Sequence, residues 1–449
     1  MNITIVRHIV PLILSLLLFC GCAEDLRDDP SVDPHDESES NASASSLPSH
    51  ARDTSPAAHG VASFLSPDPL RSGTAAMTNR SPLPTATTSS DTPSPLINES
   101  EPSAPLPGLG NWSAPGRFDP LPYHRGVNHA HVHRGGHGYG SASSARQHDW
   151  LRSIGANAIA ITPFGFQQGV GADEIVGFGP DDDPGTLDRS LRLADMAAEV
   201  DSAHRRGLRV MLKPHIWSRD FGGGGEWHGT IDQATPAEHA RWWASYRKLA
   251  LHYAAFAEAH DIDYYSIGTE LVRMTTRYPD EWRALIRDIR TVYRGRLTYA
   301  AHWDREWREI AFWDALDFIG IGAYFPLGLP DSASLDELVA AWNPYRTALD
   351  SLARRTDRSV VFAEVGYRPV AGAWREPWLY SGGTPDTEAQ GLAFEALFRA
   401  FADDSWFKGV YVWKTFTDPE RARREGEEMD FLFQGLSGER VLRQWWGKS

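Results

Sequence analysis

From about Phe118 to the C-terminus, short apolar runs alternate with longer stretches whose apolar residues recur three and four positions apart. The longer stretches, such as LDRSLRLADMAAEVDSAHRRG and PAEHARWWASYRKLALHYAAFAEAH, predict amphipathic helices, and the short runs predict strands. The helices tend to stop at Gly, Asp or Asn, which are typical of helix ends and turns. The predicted strands are HRGVNHA, NAIAITPFGF, LRVMLKPHIW, IDYYSIGTE, LTYAAHWD, FIGIGAYFP, VVFAEVGY and GVYVWKTFT.

Strands that alternate with helices in this way indicate a parallel sheet. Eight such repeats over about 330 residues fit a closed (β/α)₈ barrel of the α/β class. A doubly wound open sheet is the alternative, but it needs fewer strands or a nucleotide-binding glycine motif. The run FGGGGEW at residues 221–227 does not open onto a helix with that glycine spacing, and it is typical of a flexible loop. We therefore predict a single (β/α)₈ barrel over residues 116–449.

The N-terminus has the features of an export signal. Arg7 precedes the apolar run IVPLILSLLLFC, which at about 12 residues has the length of a signal-peptide core and is too short to span a bilayer. The stretch LLLFCGCAED resembles a bacterial lipoprotein signal, which implies removal of residues 1–21 and lipidation of Cys22, although Phe19 stands where Leu is usual. We expect an exported lipoprotein at the bacterial cell envelope, held to the membrane only by its lipid. Plain secretion and an uncleaved anchor are the alternatives.

Residues 22–115 are rich in Ser, Thr, Pro, Ala and Asp and contain no long periodic apolar segment. Such a composition buries too little surface to offset the loss of chain entropy on folding. We predict a disordered linker that holds the barrel away from the membrane.

The net charge and the composition exclude some classes of binding partner and some kinds of site. The net charge of −15 argues against nucleic acid and against an anionic membrane surface, since both need a basic face. The two cysteines, Cys20 and Cys22, both lie at the leader, so the barrel has neither a disulfide nor a thiolate site. The 17 tryptophans are more than a core alone usually needs, although packing is the commoner role of any single one.

In a (β/α)₈ barrel the active site forms where the strands end. The residues at the predicted strand ends are mostly aromatic, histidine or carboxylate side chains. In chain order they are Asn128, His129, His131, Phe164, Phe166, Lys213, His215, Trp217, Glu270, His302, Trp303, Asp304, Tyr324, Glu364, Tyr367, Trp413 and Lys414.

Two of these residues are carboxylates whose placement suggests a particular reaction. SIGTE and FAEVGY place Glu270 at the end of the fourth strand and Glu364 at the end of the seventh, roughly across the barrel mouth. A glutamate at a strand end is, taken alone, more often a surface or capping residue. Two opposed carboxylates among aromatic neighbours are what glycoside hydrolysis requires, because one protonates the leaving oxygen and the other attacks the anomeric carbon.

At these residues the chain resembles a known group of enzymes. Glu270 and Glu364 look like the acid/base and the nucleophile of glycoside hydrolase clan A, and SIGTEL, FAEVGY and KPHIW resemble glycoside hydrolase family 113. The resemblance covers residues 122–435 and implies an endo-β-1,4-mannanase that needs no cofactor. Thr269 departs from the clan, since most members carry Asn there to bind the sugar 2-hydroxyl, and this leaves the contacts of that hydroxyl open.

The resemblance also implies roles. Glu270 would protonate the glycosidic oxygen, which requires a raised pKa, and Glu364 would stay ionised and attack. Tyr324 would donate a hydrogen bond to Glu364, and Trp413 would form the floor under the sugar. The other implied substrate-binding residues are Asn128, Lys213, His215, His302 and Trp303.

The run HAHVHRGGHGYG carries four histidines at residues 129–137 and suggests a competing function. Metal-dependent amidohydrolase barrels begin with His-x-His after the first strand, and Lys213, His215, His302 and Asp418 fit such a site in part. However, Tyr324 occupies the region where a further His is expected, and the metal reading leaves Glu270 and Glu364 without a role. We expect no metal, with His129 or His131 contacting sugar or supporting the site, and His133 and His137 in a loop.

A third hypothesis is a glycan-binding lipoprotein whose catalysis has lapsed. The two intact glutamates argue against it, because a binding protein has no need of opposed carboxylates. We expect a monomer that hydrolyses a β-linked polysaccharide or oligosaccharide.

Overall fold

The computed structural model describes residues 120–133, 136–177, 191–218, 220–221, 226–420 and 430–447. The predicted leader (1–21), the lipidation site Cys22 and the predicted linker (22–115) lie outside these residues and stay predictions. Across the described ranges, no helix has both the length and the hydropathy to cross a bilayer.

Eight parallel strands close into a barrel, which confirms the predicted (β/α)₈ fold. The strands of the described residues are β1 His124–Ala130, β2 Ala158–Ile161, β3 Phe164–Gln167, β4 Arg209–Leu212, β5 His215–Ser218, β6 Tyr264–Thr269, β7 Arg296–His302, β8 Ile319–Gly322, β9 Val360–Val365 and β10 Phe407–Phe416. Around the barrel the order is β1, β2, β4, β6, β7, β8, β9 and β10, and β10 pairs with β1 to close it.

Helices follow the strands, as the alternating pattern predicts. Those of the described residues are α1 Ala142–Ser153, α2 Leu193–Arg205, α3 Pro236–Ala259, α4 Val272–Arg277, α5 Pro279–Val292, α6 Glu306–Glu309, α7 Leu335–Ala341, α8 Asn343–Thr356, α9 Thr387–Phe401 and α10 Ser437–Trp446. The start of α3 shows how local sequence sets a boundary. Thr235 and Glu238 form a reciprocal capping box, and Pro236 occupies the first turn, where its missing N–H costs nothing.

Two predicted strands are each divided in the structure. NAIAITPFGF becomes β2 and β3, and LRVMLKPHIW becomes β4 and β5, with Pro163 and Pro214 at the breaks. Proline has no N–H to donate to a strand ladder, so it interrupts the pairing. The outer strands β3 and β5 pair with each other in parallel and extend this side of the barrel beyond its mouth.

Alternate residues of the strands form two separate apolar clusters. Ile159 and Ile161 of β2 pack outward among the helices, whereas Ala158 and Ala160 pack inside the barrel. Six tryptophans are among the largest fully buried side chains: Trp242, Trp282, Trp307, Trp313, Trp342 and Trp374. Packing of the helices therefore accounts for much of the unusual tryptophan content.

Candidate active site

Glu270 follows β6 directly and has a left-handed backbone, with φ of 51°. This conformation is strained for a residue with a Cβ, by about 1–3 kcal/mol, and it persists only where neighbours hold it. The Glu270 N–H donates to the Ala300 carbonyl at 2.8 Å. The next N–H, of Leu271, donates to the Tyr299 hydroxyl at 2.6 Å. Strand β7 thus anchors the chain on both sides of the Glu270 side chain.

Glu364 lies within β9 and accepts two strong hydrogen bonds. Lys213 Nζ donates to Oε2 at 2.6 Å, and Tyr324 Oη donates to Oε1 at 2.7 Å. Both donors stabilise negative charge on the carboxylate. Burial, together with the charge of Glu364, raises the pKa of Tyr324 well above its usual value, so that its proton stays in place. The Lys213 side chain is 0% exposed, so we correct its predicted role from substrate binding to partner of Glu364.

A glycine opens the space between the two glutamates. Gly322, the last residue of β8, is paired in register with Glu364, which puts the two Cα atoms on adjacent strands about 4.8 Å apart. A Cβ on Gly322 would collide with Oε1 of Glu270. A larger residue at Gly322 would therefore displace the Glu270 carboxylate. The two glutamates lie near one another, since Lys213, which binds Glu364, also lowers the pKa of Glu270, and both carboxylates raise the pKa of Tyr324.

Histidines surround the Glu270 carboxylate. His228 Nε2 lies 3.5 Å from Oε2, and His302 is close enough to act through its charge. Burial by itself raises the pKa of Glu270, but His302, His228 and Lys213 together hold it below its ordinary value. The raised pKa of Glu270 expected from the sequence is therefore wrong. That expectation considered burial and a neighbouring carboxylate, and it took no account of Lys213 and the two histidines.

Behind Glu270 lies a third glutamate, Glu306, at the start of α6. Its carboxylate is fully buried and accepts from Thr275 Oγ1 at 2.6 Å, Tyr299 Oη at 2.7 Å and the His302 N–H at 2.6 Å. Burial raises the pKa of Glu306 to about 7, and the charge of Glu270 contributes to the rise. Its donors are hydroxyls and an amide, none of which carries a positive charge.

Trp413, near the end of β10, borders the same space. Its ring lies nearly parallel to that of His215, at 20° and 6.4 Å between centroids, and Lys213 Nζ is 5.5 Å from its centre. Both rings are partly exposed, and the peptide bond between Trp413 and Lys414 is cis. Burial, with Lys213 and His228 nearby, holds the pKa of His215 well below its usual value, so this imidazole is neutral.

A row of rings continues outward from Glu270. The His302 ring contacts Trp227 at 4.6 Å and Trp303 at 5.2 Å between centroids. Trp303 in turn stacks on Trp378 at 4.7 Å and 14°. Trp378 is 37% exposed, so the row ends at the protein surface. Such a row offers flat apolar faces of the kind that sugars stack on.

Asn128 is fully buried, contrary to its predicted place among the substrate-binding residues. Its amide donates to the carbonyl of Ala363 at 3.3 Å and to that of Tyr411 at 3.1 Å. Lys213 Nζ also reaches the Ala363 carbonyl, at 3.5 Å. Asn128 therefore braces the strand that carries Glu364 and does not face the mouth.

His129 points to the opposite side of β1 from Asn128, because successive strand residues face opposite sides. Its Nε2 lies 2.8 Å from Ser144 Oγ and 3.2 Å from Glu199 Oε1, behind the barrel wall. His148 Nε2 lies 2.7 Å from the same oxygen, and Gly140 N–H donates to Oε2 at 2.7 Å. The predicted contact of His129 with substrate is wrong. We call His129, Ser144, His148 and Glu199 the rear cluster.

The rear cluster is the one group of His, Cys and carboxylate residues, among those described, whose donor atoms converge as metal ligands do. Two ligands of one tetrahedral zinc stand about 3.3 Å apart for bonds of about 2.0–2.1 Å. Here Glu199 Oε1 is 2.7 Å from His148 Nε2 and 2.6 Å from the hydroxyl of Ser144. These separations are shorter than those between two ligands of one ion, and we assign no metal to them. Hydrogen bonds from His129 and His148 outweigh the burial that raises the pKa of Glu199, and hold it well below its usual value.

The remaining histidines of the run do not assemble into one site. His131 is buried and its Nδ1 accepts from the N–H of Tyr139 at 2.9 Å. His137 Nδ1 lies 2.5 Å from Asp418 Oδ2, beyond the end of β10. The amidohydrolase hypothesis thus loses its first ligand, because His129 faces away from the mouth.

Several residues of the site were missed from the sequence. His228 follows a glycine run that predicts only a loop, and Glu306 lies four residues after His302 in a polar stretch without periodicity. Gly322 lacks a side chain to draw attention. The sole signal for Glu306 was its closeness to a strand end, which also applies to many surface residues.

Comparisons with known proteins agree with this geometry. The model of Glycoside Hydrolase Family 113 matches residues 130–435. A solved GH113 β-mannanase, AaManA from Alicyclobacillus acidocaldarius in complex with ManMIm, is 27% identical, with a TM-score of 0.62 over 73% of this chain and 98% of that one. A second solved structure, described as a complex of a GH113 β-1,4-mannanase, is 22% identical, with a TM-score of 0.63 over 73% of this chain and 100% of the other, and shows the shared fold. No curated protein matches the chain.

Proposed function

Because the chain belongs to glycoside hydrolase family 113, we propose that it is a retaining endo-β-1,4-mannanase with Glu270 as acid/base and Glu364 as nucleophile. Membership of the family carries the reaction class, hydrolysis of a glycosidic bond. One observation carries the assignment of residues: both carboxylates act on Tyr324 through their charge, and of the two only Glu364 is bound by Lys213 and Tyr324.

In the first step a carboxylate oxygen of Glu364 attacks the anomeric carbon and forms an ester with it. The bond from that carbon to the glycosidic oxygen breaks, and its electron pair stays on the oxygen, which takes the proton of Glu270. Lys213 and Tyr324 orient Glu364 for this attack, since each of its oxygens is held by one of them. Trp413 forms one wall of the site.

In the second step Glu270, now ionised, takes a proton from water, and the water oxygen attacks the anomeric carbon. The ester bond breaks, Glu364 is released as a carboxylate, and the configuration at the sugar is retained. Because His302 and His228 lower the pKa of Glu270, its protonated form is favoured at acidic pH. We expect kcat/KM to be highest on the acidic side of neutrality.

Mannan is the proposed substrate because a family member of known structure is named as a β-mannanase. The aromatic row from His302 to Trp378 suits an extended chain of sugars, and its open end suits internal cleavage. Thr269, at the position where the clan carries Asn, is 7% exposed, and within the described residues its hydroxyl has no hydrogen-bond partner. His215, His302 and Trp303 are the partly exposed residues proposed to contact sugar.

We also propose that the protein is exported and lipidated at Cys22, and that it acts as a monomer. The leader sequence supports export and lipidation, and a monomer is the default for a tethered glycosidase. Mass spectrometry of the N-terminal peptide, after expression in a bacterium, tests this directly. A diacylated Cys22 is the expected result, and an intact leader or an unmodified cleaved terminus contradicts it.

The experiment that tests the function is release of reducing sugar from β-1,4-mannan by the full-length chain, with and without EDTA. Wild type is compared with Glu270→Gln and Glu364→Gln, and with Glu199→Gln as a buried glutamate away from the mouth. We expect EDTA to have no effect, both mouth variants to lose activity and Glu199→Gln to keep it. Retention of the anomeric configuration is read by NMR of the first product formed.

Three results would overturn the proposal. Activity that EDTA abolishes would point to a metal-dependent enzyme. Hydrolysis of glucan or xylan without hydrolysis of mannan would change the substrate. Binding of mannan without turnover, unaltered in Glu364→Gln, would make the protein a glycan-binding protein.

A further inference from the structure

Among the residues that the structure describes, Glu306 is the one buried carboxylate near the mouth that has no part in the proposed reaction. It is 0% exposed and cannot reach a sugar. Burying a carboxylate is costly unless donors surround it, and this one has three within 2.7 Å. The free-energy cost of burying this carboxylate suggests that Glu306 has a role that a neutral side chain could not fill.

The three donors connect Glu306 to both chain segments that border Glu270. The Tyr299 hydroxyl donates to Glu306 and accepts from the N–H of Leu271, the residue after Glu270. The second connection is the N–H of His302, whose ring is one of the groups that lower the pKa of Glu270. Glu306 is thus two hydrogen bonds from the strained backbone of Glu270 and one from its histidine neighbour.

We propose that Glu306 is a positioning residue for Glu270: through Tyr299 and the His302 amide it holds the acid/base carboxyl at the point of cleavage. This inference rests on the proposed function. The left-handed φ of Glu270 needs external anchors, and the Leu271 N–H to Tyr299 bond is one of them. Without Glu306, the Tyr299 hydroxyl and the His302 amide would lose their acceptor in a dry environment, and the two segments would shift.

Glu306 keeps its partners in either protonation state. Thr275 Oγ1 also lies 3.1 Å from the Val272 carbonyl, so its hydroxyl proton can turn there and its oxygen can accept from a protonated Glu306. The titratable groups that face Glu306 are Glu270, just after β6, Tyr299 and His302 from β7, and Tyr246 from α3. The charge of Glu270 contributes to the raised pKa of Glu306, so the two carboxylates repel one another.

The interaction between the two carboxyls gives a readout that a purely structural role would lack, namely the pH dependence of kcat/KM. The repulsion is mutual, so an ionised Glu306 favours the protonated form of Glu270, which the first step of the reaction needs. The basic limb of kcat/KM reports loss of the Glu270 proton. Glu306→Gln leaves Glu270 to titrate alone at its lowered pKa, so the limb should move to lower pH.

The experiment measures kcat/KM against pH for wild type, Glu306→Gln and, as a matched buried control, Glu199→Gln. Two substrates are used: β-1,4-mannan, and a dinitrophenyl β-mannobioside whose leaving group departs without protonation.

On mannan we expect Glu306→Gln to lower kcat/KM about tenfold to a hundredfold, with the basic limb at lower pH. On the dinitrophenyl substrate we expect a loss below about threefold, since the first step needs no acid. Glu199→Gln should leave both the limb and the ratio of the two substrates unchanged.

An unchanged limb in Glu306→Gln, or equal losses on both substrates, would overturn the inference. If Glu306→Gln does not fold, Tyr299→Phe tests the same link, because it keeps the ring and removes the hydroxyl between Leu271 and Glu306. Its loss should again fall on mannan more than on the dinitrophenyl substrate, and equal losses would overturn the inference. Full mannan activity in Glu270→Gln would instead contradict the proposed function, so the two failures are distinguishable.

Discussion

The rear cluster and the barrel mouth each contain a fully buried glutamate with short hydrogen bonds, yet the two glutamates titrate in opposite directions. Glu199 accepts from a serine hydroxyl and a glycine amide and lies against two histidines, and its pKa is held well below the usual value. Glu306 accepts from two hydroxyls and an amide beside the charge of Glu270, and its pKa is raised to about 7.

Burial is the same for both side chains and by itself raises both pKa values, so the neighbours decide the direction. A buried carboxylate that lies against two histidines, as Glu199 does, stays ionised. One with neutral donors near a second carboxylate can exchange a proton near neutral pH, and such groups collect at reactive sites. We therefore expect the rear cluster to contribute to stability and Glu306 to affect proton transfer at the mouth.

The largest expected difference between the regions is in catalysis. Glu364→Gln should lower kcat on mannan by about 10⁴-fold or more, because an amide does not form the ester intermediate. Glu199→Gln should change kcat by less than about twofold. Initial rates of both variants, with folding checked by circular dichroism, provide the comparison. Equal losses would mean that the rear cluster is also part of the active site.

For stability, the rear cluster should matter far more than an exposed ion pair does. Glu199→Ala removes the anion that His129 and His148 face, and breaking a buried pair in this way costs about 3–5 kcal/mol of unfolding free energy. Asp350→Ala breaks the exposed pair with Arg354 in α8 and should cost below about 0.5 kcal/mol. Denaturant unfolding measures both. A Glu199→Ala cost no larger than that of Asp350→Ala would show that the rear cluster contributes little to stability.

The two glutamates should also make the free energy of unfolding depend on pH in opposite directions. The pKa of folded Glu199 is depressed, so its stabilisation is present above the unfolded pKa of about 4.3 and is lost as pH falls toward the folded value. The pKa of folded Glu306 is raised to about 7, so the folded state binds the extra proton from about pH 4.5 to 7, and stability falls by on the order of 3 kcal/mol across that window.

Unfolding midpoints of wild type, Glu199→Gln and Glu306→Gln between pH 3 and 8 test these slopes. Relative to wild type, Glu306→Gln should gain stability as pH rises from about 4.5 to 7. Glu199→Gln should be at its greatest disadvantage above about pH 4.5 and should recover in more acidic solution. Parallel curves for all three proteins would contradict the comparison between the regions.

The smallest expected effect concerns His228. His228 lowers the pKa of Glu270, first by hydrogen bonding and then by its electrostatic effect, so His228→Gln should raise that pKa and move the basic limb of kcat/KM on mannan to higher pH. This direction is opposite to the one expected for Glu306→Gln, which makes the two variants controls for each other. A limb that moves to lower pH in His228→Gln would show that His228 does not act on Glu270 through its charge.

Much of the fold was predictable because its signals are local. Periodicity located the eight barrel strands, and β1 coincides with HRGVNHA to the residue. The breaks at Pro163 and Pro214 were also readable in principle, since proline interrupts a ladder, but the apolar runs on both sides concealed them. For the site, the strand-end rule singled out Glu270 and Glu364, and the structure places both at the mouth.

The same rule gave wrong positions for Asn128 and His129. A residue's position at a strand end does not determine which face of the sheet its side chain lies on. Both were taken as facing the mouth, but Asn128 is buried inside the barrel and His129 lies behind its wall. Consecutive strand residues cannot both point the same way, and that constraint alone could have excluded one of them.

The sequence by itself determined the elements, their order and the two glutamates at strand ends, since periodicity, capping and proline act over a few residues. Only the tertiary structure decided the electrostatics of the site. Lys213 and Glu364 are 151 residues apart and Tyr324 is 40 from Glu364, and no local pattern joins them. A pKa depends on charges within a few ångströms in space, and closure of the barrel is what brings those charges together.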